Sequence, residues 1–151
     1  NQPTAQVVFE DCCVPVENLL GEEGDGFKFA MKGLDGGRLN IAAAALGGAQ
    51  MAYDKALIYA KDRQAFGKSI DQFQSMQFKL ADMFTQLEAA RTFLRQAAWK
   101  LDNGSADATR SCAMAKQFVT DCTLVLQSMC CLAGQPMIVN SLKHAPKLLT
   151  Y

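Results

Sequence analysis

Residues 76–101 read MQFKLADMFTQLEAARTFLRQAAWKL, and Met76, Leu80, Met83, Leu87, Ala90, Leu94, Ala97 and Leu101 recur there at alternating intervals of four and three. That spacing follows the 3.6-residue period of an α-helix and gathers its apolar side chains into one stripe. The stripe needs partners to bury it, so the fold is decided by what flanks this segment. Downstream, Asn103-Gly104-Ser105 supplies a glycine stop and offers Ser105 as an N-cap for a further helix, expected over about Ala106 to Ala133. Upstream, Phe27, Met31, Leu34, Ile41, Ala45, Ala49, Ala52, Ala56 and Tyr59 predict another long helix over about Phe27 to Lys61. Gly33, Gly36, Gly37, Gly47 and Gly48 oppose that helix on propensity, at up to about 1 kcal/mol each against Ala. Small residues at such density indicate close approach, either of helix on helix or of backbone on ligand.

Mainly α architecture follows: an antiparallel helical bundle, three long helices of a four-helix arrangement. Gln6-Val7-Val8-Phe9 reads as one β-strand ahead of it, with Val14-Pro15-Val16 as an extended exit. A lone strand cannot pair its backbone, so this one is expected to belong to a sheet outside the segment or to another chain. The start, Asn1-Gln2-Pro3-Thr4, has no Met and no targeting pattern, and suggests a piece of a longer protein. The expected division is 1–20 as a linker and strand end, and 21–151 as the helical domain. Within it, Gly134-Gln135-Pro136 breaks the third helix and an atypical tail begins at about residue 130.

Composition narrows the function classes. Of 151 residues, half are hydrophobic and a fifth charged, which is the balance of a globular domain with a core of its own. Fifteen basic residues match fifteen acidic ones, so no net field favours nucleic acid or an anionic surface. No apolar run is long enough for a membrane span. The six cysteines include the adjacent pairs Cys12-Cys13 and Cys130-Cys131, which suit neither a disulfide ladder nor a C-x-x-C clamp, so no metal site is expected. Cys112 and Cys122 fall on a helical pattern as small core residues, in keeping with a reducing compartment. The single histidine, His144, stands in the sequence tail and is expected at the surface rather than in a Ser/His/Asp set. No carboxylate stands in an apolar context of the kind that would tune it as a general base.

Two stretches could carry chemistry. Asp62-Arg63-Gln64-Ala65-Phe66-Gly67-Lys68-Ser69-Ile70, followed by Phe73-Gln74, is a basic and polar turn between helices. Arg63 offers a planar donor fork suited to phosphate, Phe66 an aromatic anchor, and Gly67 a residue free to take positive φ where the first helix stops. The same residues also suit a helix cap followed by a plain connector. Asp35-Gly36-Gly37-Arg38 sits inside the first helix, where paired glycines admit close approach to the backbone. There an i, i+3 ion pair on a solvated face is the competing reading.

The chain resembles the acyl-CoA dehydrogenase family over about Thr4 to Asp121. The resemblance rests on VVFEDCCVPVENLLGEEGDGF (7–27), GLDGGRLNIAAAALGGAQMAYDKALIYAKDRQAFGKSIDQFQSMQFKLADM (33–83), AAWKLDNG (97–104) and AMAKQFVTD (113–121). The GLDGGRLNIA form is most similar to the short branched-chain, isobutyryl-CoA type. The resemblance implies a flavoprotein with helical, β and helical-bundle domains, of which this chain would carry the strand end and the last. It also implies FAD as cofactor, with Arg63 on its diphosphate, Gln64 and Ala65 in the same turn, Phe66 packed at the nucleotide, and Gln74 on the following helix. That FAD would belong to a neighbouring subunit, which implies a homo-oligomer, a dimer or homotetramer. Asp35 and Arg38 match the pair lying along the acyl-CoA substrate, with Leu34 beside the acyl chain.

The implied reaction is α,β-dehydrogenation, with electrons leaving to an electron-transfer flavoprotein in the mitochondrial matrix or bacterial cytoplasm. The resemblance supplies no catalytic residue here. Gly37 stands where one subgroup places its glutamate, and Leu132-Ala133-Gly134-Gln135-Pro136 replaces the glycine-rich cofactor motif that precedes the other glutamate position. This chain alone is therefore expected to be inactive. Two other products of the same ancestry stay open, a non-catalytic helical dimerisation module and an acyl-CoA oxidase-like flavoenzyme.

Overall fold

Three long helices make up most of the described residues: α1 over Gly26–Asp62, α2 over Gln74–Asp102 and α3 over Ala108–Leu132. The computed structural model describes residues 5–132, with side chains through Leu126. The expected break at Gly134-Gln135-Pro136, the tail that follows it and His144 lie outside these residues. Between α1 and α2 a two-stranded antiparallel ladder, β1 (Gln64–Ala65) and β2 (Lys68–Ser69), is followed by a 3-10 turn over Ile70–Gln72.

α2 buries the stripe its spacing dictates. Met83, Leu87, Ala90, Leu94 and Ala97 are buried, with Leu87 and Ala97 fully so. It ends at Asp102, where Gly104 takes a φ of 62° and the Ser105 N–H closes back on the Lys100 carbonyl. Ser105 does not cap α3. Its carbonyl accepts the Ala108 N–H, and Asp107 stands before the first helical residue instead. The Lys100 ammonium, 2.6 Å away, ties the Asp107 carboxylate to the end of α2 and holds its pKa below the usual carboxylate value. The two helices are thereby pinned at their joint.

α1 departs from expectation in its first half. Phe27, Met31, Leu34 and Ile41 are exposed, and the buried stripe is Asp35, Ala42, Ala49, Ala52, Tyr53, Ala56 and Ala60. Alanine at these positions lets α1 lie close to its neighbours, which turns the larger side chains onto another face. One core cluster joins Ala49, Ala52, Tyr53 and Ala56 to Met83, Leu87 and Leu126. A second joins Ala42 to Ala90, Leu94 and Val119. Because Asp35 meets Thr109 near the start of α3 and Ala52 lies with Leu126 towards its end, α1 and α3 run the same way and α2 runs against both.

The strand expected at Gln6–Phe9 does not form. Residues 5–15 carry no ladder and are exposed, including Val7, Val8 and Phe9. No second strand lies beside them among the described residues, and a strand without a partner leaves its backbone groups to water. No disulfide joins Cys12, Cys13, Cys112 or Cys122, and Cys112 is fully buried as a core residue. No described helix is long and apolar enough to cross a membrane, and no group of metal-ligating side chains gathers among the described residues.

Candidate functional site

The Arg63 segment folds as a tight hairpin. α1 stops at Asp62, and the Arg63 N–H caps it by donating to the Tyr59 carbonyl at 2.9 Å. Gln64 pairs with Ser69 and Ala65 with Lys68, leaving Phe66-Gly67 as a two-residue loop. Such loops need positive φ at their central residues. Gly67 provides it at 80° without cost, but Phe66 adopts 52°, a conformation that a bulky residue takes only under constraint. Gly67 thus serves the hairpin turn, beyond Asp62 and not at the helix stop that the sequence suggested for it. The Arg63 carbonyl accepts the Ile70 N–H at 2.9 Å, extending the closure by one residue.

Phe66 does not anchor the turn from inside. Its ring is 97% exposed, touching Phe73 edge-on at a centroid distance of 6.3 Å. Lys68 sits over the face of the same Phe73, 4.4 Å from its centroid. Phe73 immediately precedes α2, so these ring contacts fold the hairpin back towards Gln74, the first residue of that helix. Arg63, Gln64, Phe66 and Gln74 are all exposed on this segment, with Ala65 half-buried beneath them. The Arg63 guanidinium has no ion-pair partner among the described residues. A free donor fork, two amides and an uncovered aromatic face suit a polyanionic ligand that also carries a flat ring.

The second cluster is built at the crossing of α1 and α3. Asp35 is buried, at 7% exposure, and each of its oxygens has a partner. Arg38 Nη1 donates to Oδ1 at 2.7 Å, and Thr109 Oγ1 donates to Oδ2 at 2.6 Å. The ion pair therefore does not lie on a solvated face, as spacing alone allows. It is a junction between helices. Cys112 stands fully buried beside it, its thiol pushed above the ordinary value by burial and then by the Asp35 charge, with Arg38 opposing. Arg38 keeps about a third of its side chain exposed. Leu34 is 45% exposed next to it, and a Cβ built on Gly36 or Gly37 would meet nothing within 4 Å. Helix-on-helix packing among the described residues does not account for those two glycines.

Thr109, which lies 74 residues from Asp35, left no signal in the sequence, and neither did the contacts of Lys68 and Phe66 with Phe73. A shallow cleft of about 300 Å³ on α2 and α3, lined by Phe93, Met114, Gln117, Phe118 and Asp121, includes none of the residues above.

Both clusters lie on a fold whose relatives are known. Residues 24–135 match the family described as "Acyl-CoA dehydrogenase, C-terminal domain". The chain belongs to the acyl-CoA dehydrogenase family. It is 49% identical over 121 residues to the mitochondrial isobutyryl-CoA dehydrogenase of Bos taurus, covering 80% of this chain and 29% of that protein. Among solved structures, the butyryl-CoA dehydrogenase of Megasphaera elsdenii superposes with a TM-score of 0.79 at 45% identity, over 87% of this chain and 34% of that one. A chain in the structure of the electron transferring flavoprotein of Acidaminococcus fermentans matches equally, at a TM-score of 0.79 and 45% identity, over 87% of this chain and 34% of that one. The chain thus spans about three-tenths of the length of these dehydrogenases.

Proposed function

We propose that this acyl-CoA dehydrogenase domain takes part in FAD-dependent α,β-dehydrogenation of a short or branched acyl-CoA, and that residues 1–20 join it to a β-domain. Localisation in the mitochondrial matrix or a bacterial cytoplasm follows from the same kinship. The observation that carries the reading is the Arg63 hairpin, an exposed guanidinium without an ion-pair partner beside a strained, uncovered Phe66. These residues fit FAD. Arg63 would take the diphosphate, with Gln64, Ala65 and Gln74 alongside and Phe66 against the nucleotide. When bound, FAD supplies the acceptor for hydride from the β carbon, and the electrons pass on to an electron-transfer flavoprotein.

The Asp35–Arg38 pair binds and orients the acyl-CoA, with Leu34 beside its acyl chain. Asp35 is committed to two hydrogen bonds and so acts as an anchor rather than as a proton acceptor. Gly37 has no side chain to offer. We therefore place the carboxylate that takes the α proton outside the described residues, and assign no catalytic residue within them. By itself the chain is expected to bind FAD weakly or not at all and to turn nothing over, since half of the cofactor enclosure and the base are not among these groups.

Helix geometry supports the sharing of sites between subunits. Asp35 and Arg63 are 28 residues apart along α1, about 42 Å at 1.5 Å per residue. That distance is too great for one chain's diphosphate contact and acyl-CoA pair to serve a single hydride transfer. The hairpin then completes the site of a neighbouring copy, in a homo-oligomer.

Arg63→Gln and Arg63→Lys, made in the assembled flavoprotein, test the assignment through bound flavin per chain. Loss of a charge-assisted pair to phosphate weakens binding about tenfold to a hundredfold. Arg63→Gln is expected to lose FAD to that extent, and Arg63→Lys, a point charge without the fork, to lose less. Flavin content in Arg63→Gln equal to that of the parent protein contradicts the reading.

A further inference from the structure

We propose that Thr109 is a positioning residue, whose hydroxyl fixes Asp35 so that the carboxylate presents the Arg38 guanidinium to the acyl-CoA. This rests on the reading that Arg38 faces that ligand. An i, i+3 pair at a helix surface holds an arginine only loosely, because water competes for the carboxylate and the long side chain keeps its rotamer freedom. Here the carboxylate is buried, and each of its oxygens is engaged from a different helix. Arg38 lies on the same turn as Asp35 and moves with it. Among the described residues, the Thr109 bond, which comes from α3, is the one hydrogen bond that fixes Asp35 relative to a second element.

Thr109 is used differently from three other helical threonines. Thr85, Thr120 and Thr123 donate their hydroxyls back to the carbonyl four residues earlier on their own helix. Thr109, in the first turn of α3, donates across to α1 at 2.6 Å. Its branched Cβ restricts χ1, so the hydroxyl is held in place before any ligand arrives. Thr109 is itself exposed, and the burial at this bond lies on the Asp35 side, whose side chain keeps only 10% of its surface exposed. Arg38 meanwhile gives a single nitrogen to Asp35 and has no other hydrogen-bond partner among the described residues. The Arg38 side chain keeps a third of its surface exposed near Gly36 and Gly37, and its remaining N–H groups are aimed by this relay and left available.

The test is the equilibrium affinity for butyryl-CoA or isobutyryl-CoA, by calorimetry on the FAD-loaded, assembled protein well below its unfolding temperature, with KM and kcat measured alongside. Thr109→Val, nearly isosteric without the hydroxyl, is expected to weaken thioester binding about tenfold and to raise KM more than it lowers kcat, the size expected for losing one hydrogen bond to a charged group. Thr109→Ser is expected to restore both. Parent-like affinity in Thr109→Val overturns the proposal, and so does an equal loss in Thr109→Val and Thr109→Ser. Arg38→Gln separates this from the reading beneath it. Unchanged affinity in Arg38→Gln removes the acyl-CoA assignment itself, whereas weakened affinity there with parent-like Thr109→Val removes the relay alone.

Discussion

At Phe66 local stability and ligand binding pull apart. A phenylalanine at a φ of 52° with 97% of its surface exposed loses on both backbone conformation and apolar hydration. Asparagine tolerates that conformation and has no large apolar surface to hide. Phe66→Asn is therefore expected to leave the unfolding free energy unchanged or raise it by about 0.5–1 kcal/mol, while reducing FAD retention. Denaturant melts and flavin content measure the two halves of that statement, and a clear loss of stability runs against it. The buried junction at Asp35 behaves in the opposite way. Asp35→Ala strips Arg38 and Thr109 of their shared acceptor and is expected to cost about 1–3 kcal/mol. Cys112 beside it sets a pH dependence. Its folded pKa is raised from 9.0 by burial, so its contribution is complete below the unfolded value and disappears as pH climbs through the folded one. Cys122 and Tyr53 are raised in the same sense by desolvation. Stability is expected to fall on going from pH 8 to pH 11, and to fall less steeply in Cys112→Ala.

The helices themselves were legible in the sequence to different depths. The alternation of α2 predicted both its span and its buried face, because its methionine, leucine and alanine positions keep one unbroken stripe while Phe78, Phe84 and Trp99 fall off it. α1 had the right span but half of the wrong face. Its contact surface is made of alanines, which carry little pattern, while Phe27, Met31, Leu34 and Ile41 form the more visible stripe and stay exposed. The hairpin could be read only as a turn, because its ladder is two residues per strand and leaves no periodicity. The Thr109–Asp35 bond was out of reach, since nothing local links residues so far apart. Gly36 and Gly37 give an element-level prediction. With nothing within 4 Å of an added methyl, Gly36→Ala or Gly37→Ala is expected to stabilise α1 by up to about 1 kcal/mol. If the backbone there lies against the acyl-CoA, the same change weakens thioester binding. A stabilised variant with parent-like affinity shows that the glycines have no ligand-facing role. In the core, Leu87→Ala is expected to cost about 3 kcal/mol, since Leu87 is fully buried between the helices.

On the scale of the whole molecule, the apolar surface is larger than three helices can cover. Phe27, Met31, Leu34 and Ile41 on α1, Phe78, Phe84 and Trp99 on α2, and Met114, Phe118 and Val125 on α3 are exposed in one described chain. Uncovered residues in such number mark surfaces that pack against other elements or other copies. The two candidate clusters, about 42 Å apart along α1, give that packing a functional consequence. If each active centre takes its acyl-CoA pair from one subunit and its diphosphate contact from another, defects in the two clusters compensate each other. The decisive measurement is dehydrogenation of butyryl-CoA by oligomers reassembled from Arg63→Gln and Arg38→Gln subunits, compared with each variant alone. Recovery of activity in the mixture well above both parents is the predicted result, because some centres then combine an intact Arg63 with an intact Arg38. A mixture no more active than the average of its two components contradicts the account.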